Sequence, residues 1–175
     1  VTWINIDGIH KVEIIDKIGK HFNLHPLILE DIVNTDQRPK VEDMDDTLFI
    51  ILRMHTHNSS LNGFNSEQVS IIITKNCVIS FQEQEGDLFD PIRERIRTGK
   101  GKIRSMKTDY LAYTLIDAVV DNFFYVLEQM GERTENLEDE VIGKPGPEIV
   151  QKLHTLKRNL LFLRKSIWPL REEIT

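Results

Sequence analysis

The sequence has few of the features that are typical of secreted or membrane-spanning proteins. Its single cysteine, Cys77, excludes an internal disulfide framework and fits a reducing compartment. No apolar run approaches the ~18 residues that span a bilayer, and no basic-then-apolar leader precedes the first strand-like residues. Bases are the minority, 22 against 28 acids, which argues against nucleic acid as the main partner. We expect a soluble chain.

Both ends of the chain look cut. Val1 begins directly in a strand-like run, and Thr175 follows no recognisable helix cap. We therefore expect a fragment of a longer protein.

Acidic residues are concentrated between residues 30 and 46. Seven acids stand there against two bases, a net charge of −5 in a chain whose total is −6. The acids are Glu30, Asp31, Asp36, Glu42, Asp43, Asp45 and Asp46. Crowded carboxylates are tolerated when water solvates them, or when a hard cation or a basic partner lies among their oxygens. The stretch is therefore either a solvated surface or a cation site, in which adjacent Glu30 and Asp31 offer Mg²⁺ one or two direct ligands.

The first hundred residues alternate strand and helix patterns. Strands are predicted over 2–6, 48–54, 69–74 and 77–81, the last two forming a hairpin around Lys75 and Asn76. Helices are predicted over 11–22, 26–33 and 90–98, the last two opened by Pro26 and Pro91. Residues 34–42 are predicted as a loop, because Pro39 disfavours helix at the residue before it, and residues 58–65 as a polar turn. We predict an α/β fold, an α/β/α sandwich with a mixed sheet.

The last third of the chain has a different, helical pattern. Apolar residues recur at 3–4 spacing in two series, separated by a Gly/Pro turn at 143–146. The first series is Tyr113, Ile116, Val120, Phe123, Leu127, Met130, Thr134, Leu137 and Val141, with Thr134 its one polar break, and the second is Ile149, Leu153, Leu156, Leu160, Leu163, Ile167 and Leu170. Apolar residues off this seam in the first helix (Leu111, Leu115, Val119 and Phe124) predict that it also packs against the sheet domain or another subunit. The first helix is acidic and the second basic, which favours pairing. We predict domains 1–107 (α/β/α) and 108–175 (a long antiparallel two-helix hairpin).

Two further groups of residues are candidate metal ligands. Asp117 and Asp121 lie one helical turn apart on the acidic helix, where they face either the same ion or water. His55 and His57 project from one face of a strand end and could form a transition-metal pair. Because no third ligand is in sight, we interpret them as an exposed strand end. The sequence contains no EF-hand loop, glycine-rich phosphate loop or local Ser-His-Asp arrangement. We predict no active site and no enzyme activity.

Six segments, in this order, carry a resemblance to one family. They are WINIDGIH, LHPLILEDIVNTDQRPKVE, EQVSIIITKNCVISFQE, FDPIRERIR, DYLAYTLIDAVVDNFF and LKRNLLFLRKSIWPLRE. Together they resemble the cytoplasmic domain of CorA-type magnesium transporters, from Val1 almost to Thr175. The resemblance implies a homopentameric channel for Mg²⁺, with Co²⁺ or Ni²⁺ as further cargo. It also implies that a stalk helix and two membrane spans follow this fragment, so that the fragment lies at the cytoplasmic face of the membrane and contacts membrane only through them.

The resemblance also implies roles for particular residues. Asp31 corresponds to the family's regulatory Mg²⁺-sensing aspartate, with Glu30 beside it, and Asp117 to a carboxylate of a neighbouring cation site. In that family the opposing ligand comes from the stalk of an adjacent subunit, and Mg²⁺ between subunits favours the closed pentamer. Two other readings stay open, a stand-alone coiled-coil adaptor without a transport role and a metal-dependent hydrolase.

Overall fold

The structure, a computed structural model, describes residues 1–44, 46–58, 63–143 and 146–174, with side chains described at all of these except 57, 58, 63 and 171–174. The elements in chain order are β1 (Thr2–Asp7), α1 (Val12–Phe22), α2 (Pro26–Val33), β2 (Lys40–Met44), β3 (Thr47–Asn58), β4 (Gly63–Ile73), β5 (Cys77–Gln82), α3 (Asp90–Thr98), α4 (Thr108–Gly143) and α5 (Pro147–Ile174).

The strands form one mixed sheet in the order β1-β5-β4-β3-β2. β1 is parallel to β5, and the other neighbouring pairs are antiparallel. The predicted hairpin is present, since Thr74 N donates to Cys77 O at 2.9 Å across Lys75 and Asn76. Apolar side chains of the central strands alternate between two faces, as the two-residue period of a strand requires.

Helices cover both faces of this sheet. On one face α1 and α2 pack with Ile15, Ile28 and Ile32 against strand residues that include Phe49 and Ile79. On the other face α3 and α4 pack against the alternate strand residues, with α5 joined to the same core; this group includes Leu52, Ile71, Ile92, Leu115 and Leu163. The predicted α/β/α sandwich is confirmed.

Two sequence expectations for the strands were wrong. Residues 40–42 belong to β2 rather than to a loop, because Lys40, Val41 and Glu42 pair with Ile51, Ile50 and Phe49 of β3. β2 is an edge strand of mixed polarity, so it lacks the apolar run that announces a central strand. β3 and β4 also continue to a pair between Asn58 and Gly63, so the predicted polar turn is shorter. Asp45 and residues 59–62 lie outside the described residues.

The last two helices run antiparallel, as predicted. Lys152 of α5 pairs with Glu140 of α4 at 2.5 Å, whereas Ser166, further along α5, reaches His55 of β3. Residues 144 and 145 of the predicted Gly/Pro turn lie outside the described part of the chain. The predicted boundary between domains 1–107 and 108–175 stays a prediction; the first half of α4 shares a core with the sheet.

The predicted seam between α4 and α5 was partly wrong. Tyr113 and Leu127 of the first series are 61% and 44% exposed, and Leu153 and Leu160 of the second are similarly exposed. Phe123, Met130 and Leu137 of the first series are buried, as predicted. The sheet-facing core also takes residues of α4 that lie off the predicted seam, namely Leu111, Leu115, Val119 and Val126. The sheet, rather than α5 alone, decides which stripe of α4 is buried.

α4 is the one helix in the described residues that is long and apolar enough to cross a membrane by length and composition. Its sequence nevertheless carries Asp117 and Asp121 on the outward side, while Leu115 and Val119 are fully buried against the sheet. A helix that packs against the core of a soluble protein can meet the same criterion.

Candidate metal centre

The C-terminal end of α2 carries the acidic pair Glu30 and Asp31. The helix starts at Pro26, whose fixed φ suits the first helical position, and His25 Nδ1 accepts a hydrogen bond from Leu27 N at 3.2 Å. Ile28 and Ile32 face the sheet and are buried. Glu30 is therefore exposed, whereas the Asp31 side chain is partly covered, with 17% exposure.

Asp31 is held by a small polar network. Gln37 Nε2 donates to Asp31 Oδ1 and Lys40 Nζ donates to Asp31 Oδ2, both at 2.7 Å. The same ammonium group donates to Glu42 Oε1 at 2.8 Å. Burial alone would lower the pKa of Lys40, but hydrogen bonds to Asp31 and Glu42 and the charges of both raise it. A lysine ammonium thus occupies the space between two carboxylates.

A hydrogen bond from the sheet fixes the backbone at Asp31. Gln68 of β4 is 1% exposed, and its Nε2 donates to the carbonyl oxygen of Asp31 at 2.9 Å. The last carbonyls of a helix lack partners within the helix, so this bond satisfies one of them. The end of α2, and with it the position of the Asp31 carboxylate, is therefore anchored to a central strand.

Asp117 and Asp121 lie on the exposed side of α4, one turn apart as predicted. Tyr113 and Phe124 flank them along the same side and are 61% and 68% exposed. Two carboxylates in this arrangement can share a hydrated Mg²⁺ ion, which usually keeps several of its waters.

The structure does not bring the two acidic pairs together. Glu30 and Asp31 belong to the layer of α1 and α2, whereas Asp117 and Asp121 belong to the layer of α4, so the sheet separates them. Among the side chains that the structure describes, no three His, Cys, Asp or Glu residues converge to hold a metal ion. One copy of the chain offers two separate carboxylate pairs.

His55 does not lie at an exposed strand end, so that interpretation was wrong. Its ring is 3% exposed, lies 3.0 Å from Ser166 Oγ through Nε2, and packs against Phe123 with ring centroids 5.6 Å apart. Burial, with a smaller contribution from the charge of Arg53, lowers the pKa of His55 to about 4. His55 joins β3 to α4 and α5; the side chain of His57 lies outside the described residues.

Sequence reasoning missed the partners of Asp31. The loop around Pro39 returns the chain so that Gln37 and Lys40, six and nine residues on, meet the carboxylate. No local spacing announces that contact. Gln68 carried a usable signal, since strand alternation places it on the same face as Ser70 and Ile72, where an inward polar side chain needs a partner.

A second acidic group joins the middle of β4 to the segment after β5. Glu83 Oε1 accepts from Gln68 N at 2.6 Å, and Glu67 Oε2 accepts from Gln84 N at 3.2 Å. Burial raises the pKa of Glu67 to about 7, as do the charges of Glu83 and Asp87, while backbone hydrogen bonds oppose the rise. Nothing in the sequence pattern distinguished this glutamate.

Residues 1–175 match the sequence profile of the family described as "CorA-like Mg²⁺ transporter protein". The chain belongs to this family. It is 53% identical over 174 residues to the cobalt/magnesium transport protein CorA of Thermotoga maritima, covering 99% of this chain and 50% of that protein. It is 30% identical over 131 residues to the magnesium transporter ALR2 of Saccharomyces cerevisiae, covering 71% of this chain and 14% of that protein.

The fold agrees with this CorA-family membership. The soluble domain of CorA from Methanocaldococcus jannaschii superposes with a TM-score of 0.80 at 19% identity, covering 98% of this chain and 67% of that one. The chain spans about half the length of its Thermotoga relative. CorA is a family of transporters and not one defined by an enzymatic reaction.

Proposed function

We propose that this chain is the cytosolic, Mg²⁺-sensing part of a CorA-type divalent cation transporter. In the complete protein, copies of the chain form a pentamer at the cytoplasmic face of the membrane, joined to it by C-terminal spans. The metal ligands are Asp31 with Glu30, and Asp117 with Asp121. Mg²⁺ is the regulatory ion, and Mg²⁺, Co²⁺ or Ni²⁺ is the cargo.

One observation carries the proposal. Each acidic pair lies at the surface of its own layer, and the described side chains of one copy supply no third ligand to either pair. Mg²⁺ strongly prefers six oxygen ligands at about 2.1 Å, and completes its shell with water or with carboxylates from elsewhere. We infer that an adjacent subunit of the complete protein supplies those carboxylates.

Regulation follows from the charge of such an interface. Carboxylates of two subunits that face each other repel, and a cation between them converts the repulsion into attraction. High Mg²⁺ therefore stabilises the closed arrangement, and low Mg²⁺ releases it. The ion acts only through its higher affinity for the closed state, which is the thermodynamic condition for any such shift.

Lys40 competes with a metal ion for the Asp31 carboxylate. Its ammonium group lies 2.7 Å from Asp31 Oδ2 and 2.8 Å from Glu42 Oε1. A metal ion at Asp31 has to share the carboxylate with this group or displace it. Oxygen ligands still suit Mg²⁺, so the site fits the ion, but with an affinity reduced by the internal competitor.

The test uses a chain of full family length in transport-competent membranes. Asp31→Lys should abolish most of the Mg²⁺-dependent closure, because an ammonium group then stands where the ion has to bind. The measurement is cation uptake as a function of Mg²⁺ on the cytosolic side.

Asp43→Lys is the matched control, because Asp43 is an exposed acid of β2 in the same acidic stretch. It changes the charge by the same amount and should leave the Mg²⁺ response within about twofold of the unchanged protein, as expected of a screened surface charge. Uptake that Mg²⁺ still shuts off normally in Asp31→Lys would remove Asp31 from the sensor.

A further inference from the structure

A cleft lies between the loop 36–39, β3 at Arg53 and the C-terminal half of α5. Its volume is about 710 Å³, and its walls include Arg38, Arg53, Arg164 and Trp168. Pockets for small organic ligands fall between about 300 and 1,000 Å³. β2 ends its pairing with β3 at Ile51, so the sheet is open where Arg53 stands.

The cleft is positively charged in an acidic protein. Arg38, Arg53, Arg164 and Lys165 line it, against one acid, Asp36, which leaves a local charge of +3 where the whole chain carries −6. Among the described side chains, none of these four cations has a carboxylate within salt-bridge distance. A concave surface lined by one sign of charge concentrates counter-ions.

One of the arginines is already fixed in place. Arg53 Nη2 donates to the carbonyl oxygens of Thr35 at 2.5 Å and Gln37 at 3.2 Å. These bonds hold the loop against β3 and so fix one wall of the cleft. Arg38, Arg164 and Lys165 are exposed and line the same cleft. Arginine is well suited to phosphate, because its planar fork donates two parallel hydrogen bonds.

The cleft also has an aromatic wall. Trp168 and Phe162 line it and are each 53% exposed. The guanidinium group of Arg164 lies over the Trp168 ring at 5.5 Å from its centroid, so a cation and an aromatic face are presented together. A nucleobase can stack on an exposed aromatic ring, and such stacking stabilises bound nucleotides.

We propose that this cleft binds a soluble organic polyphosphate of the nucleoside triphosphate class. The phosphates lie against Arg38, Arg164 and Lys165, and the base lies against Trp168. The inference concerns a second ligand and does not depend on metal binding at Asp31 or Asp117.

The test is calorimetric titration of the 175-residue chain, in buffer without divalent metal, with ATP, inorganic tripolyphosphate and adenosine. We expect saturable binding of ATP, weaker binding of tripolyphosphate and little binding of adenosine. Arg164→Glu should lower the affinity for ATP at least about tenfold, the loss expected when one charge-assisted contact becomes a repulsion. Arg164→Ala should weaken it in the same direction with less disturbance of the fold.

Arg97→Glu is the matched control, because Arg97 is an exposed arginine on α3 outside the cleft. It should leave ATP binding within about twofold, the range of a distant screened charge. Trp168→Leu should lower the affinity for ATP but leave the affinity for tripolyphosphate unchanged. Thermal unfolding of each variant checks that it is folded.

Three results would overturn the proposal. The first is no saturation by millimolar ATP, and the second is an equal loss in Arg97→Glu and Arg164→Glu, which would indicate attraction to general charge. The third is binding by this chain that disappears in a chain of full family length, which would mean that protein fills the cleft. Equal affinity for ATP and tripolyphosphate, unaffected by Trp168→Leu, would overturn the nucleoside part.

Discussion

Lys40 is the residue that most directly modulates the proposed sensor. Its ammonium group bridges Asp31 and Glu42, and both side chains of the Lys40–Asp31 pair are partly buried. We predict that Lys40→Met lowers the free energy of unfolding by about 1 kcal/mol, the usual worth of a partly covered ion pair. We also predict that it strengthens Mg²⁺ binding, because the carboxylates lose their internal competitor. The measurement is the rise in unfolding temperature on adding millimolar Mg²⁺.

Lys17→Met provides the control for that experiment, since Lys17 is an exposed lysine on α1. Its unfolding temperature should respond to Mg²⁺ as in the unchanged chain. A Mg²⁺ response that is the same in Lys40→Met and Lys17→Met would show that Lys40 does not compete with the metal.

His55 makes the stability of the fold depend on pH. Its pKa is lowered from 6.5 to about 4, so in this range the unfolded chain binds a proton that the folded chain excludes. The free energy of unfolding that comes from keeping His55 neutral is fully present above pH 6.5, and it is lost as the pH falls towards 4. A tenfold change in proton affinity is worth about 1.4 kcal/mol, so the loss amounts to a few kcal/mol. Urea unfolding from pH 7 to 4 should show a steeper loss in the unchanged chain than in His55→Gln, whereas exposed His154→Gln should follow the unchanged chain.

Glu67 makes the stability of the fold depend on pH in the opposite direction. Its pKa is raised from 4.5 to about 7, so the folded chain holds the proton more tightly than the unfolded chain. This stabilisation is complete below pH 4.5 and is lost as the pH rises through 7. Glu67→Gln, a permanently neutral analogue, should therefore gain stability relative to the unchanged chain between pH 4.5 and 8. Exposed Glu94→Gln on α3 should show no such trend in the same urea series.

At the scale of single elements, α3 depends on the two ion pairs of Arg93. Arg93 forms salt bridges to Asp87 and Asp90 and lies 5.3 Å from the centroid of the Trp3 ring. Its hydrogen bond to Asp87 is the main cause that raises the pKa of Arg93, against the effect of burial. Asp87 is 4% exposed, so Arg93→Met leaves a buried carboxylate without its counter-charge. We predict a loss of about 3 kcal/mol in unfolding by urea, and less than about 0.5 kcal/mol for exposed Arg97→Met.

The elements also show how far sequence patterns reach. The β4–β5 hairpin and the helix opened by Pro26 were predicted because turn length and proline geometry act locally. β2 was missed because a short polar edge strand takes its register from β3, which no local signal contains. The stripe of α4 was only partly assigned, since Tyr113 and Leu127 are exposed while Phe123 and Met130 are buried. Periodicity gives the spacing of an apolar face but not the identity of the surface that covers it.

The acidic residues were predictable, but their surroundings were not. The sequence pointed to Glu30, Asp31, Asp117 and Asp121 as carboxylate pairs, and their roles as metal ligands stay predictions. That a sheet separates the two pairs depends on the layer order, and that Lys40 neutralises Asp31 depends on the path of the loop around Pro39. Both facts belong to tertiary structure, and both change what a metal ion at these positions can do.

At the scale of the whole molecule, the separation of the acidic pairs predicts independent effects on regulation. Asp31 lies in the layer of α2, while Asp117 and Asp121 lie on the outer side of α4. Sites that share no partners usually contribute additively to a free energy. In a chain of full family length, Asp31→Asn and the double variant Asp117→Asn with Asp121→Asn should each raise the Mg²⁺ concentration for half-maximal closure. Combined, their fold-changes should multiply.

The measurement is the Mg²⁺ dependence of uptake in all three variants, with Glu128→Gln as the control because it removes an exposed charge from the same face of α4. Glu128→Gln should leave the midpoint within about twofold, because a solvated charge is screened. A combined variant no worse than Asp31→Asn alone would mean that both pairs serve one site. Such a result would require subunits to bring the two layers into contact, since the sheet keeps them apart within a single copy.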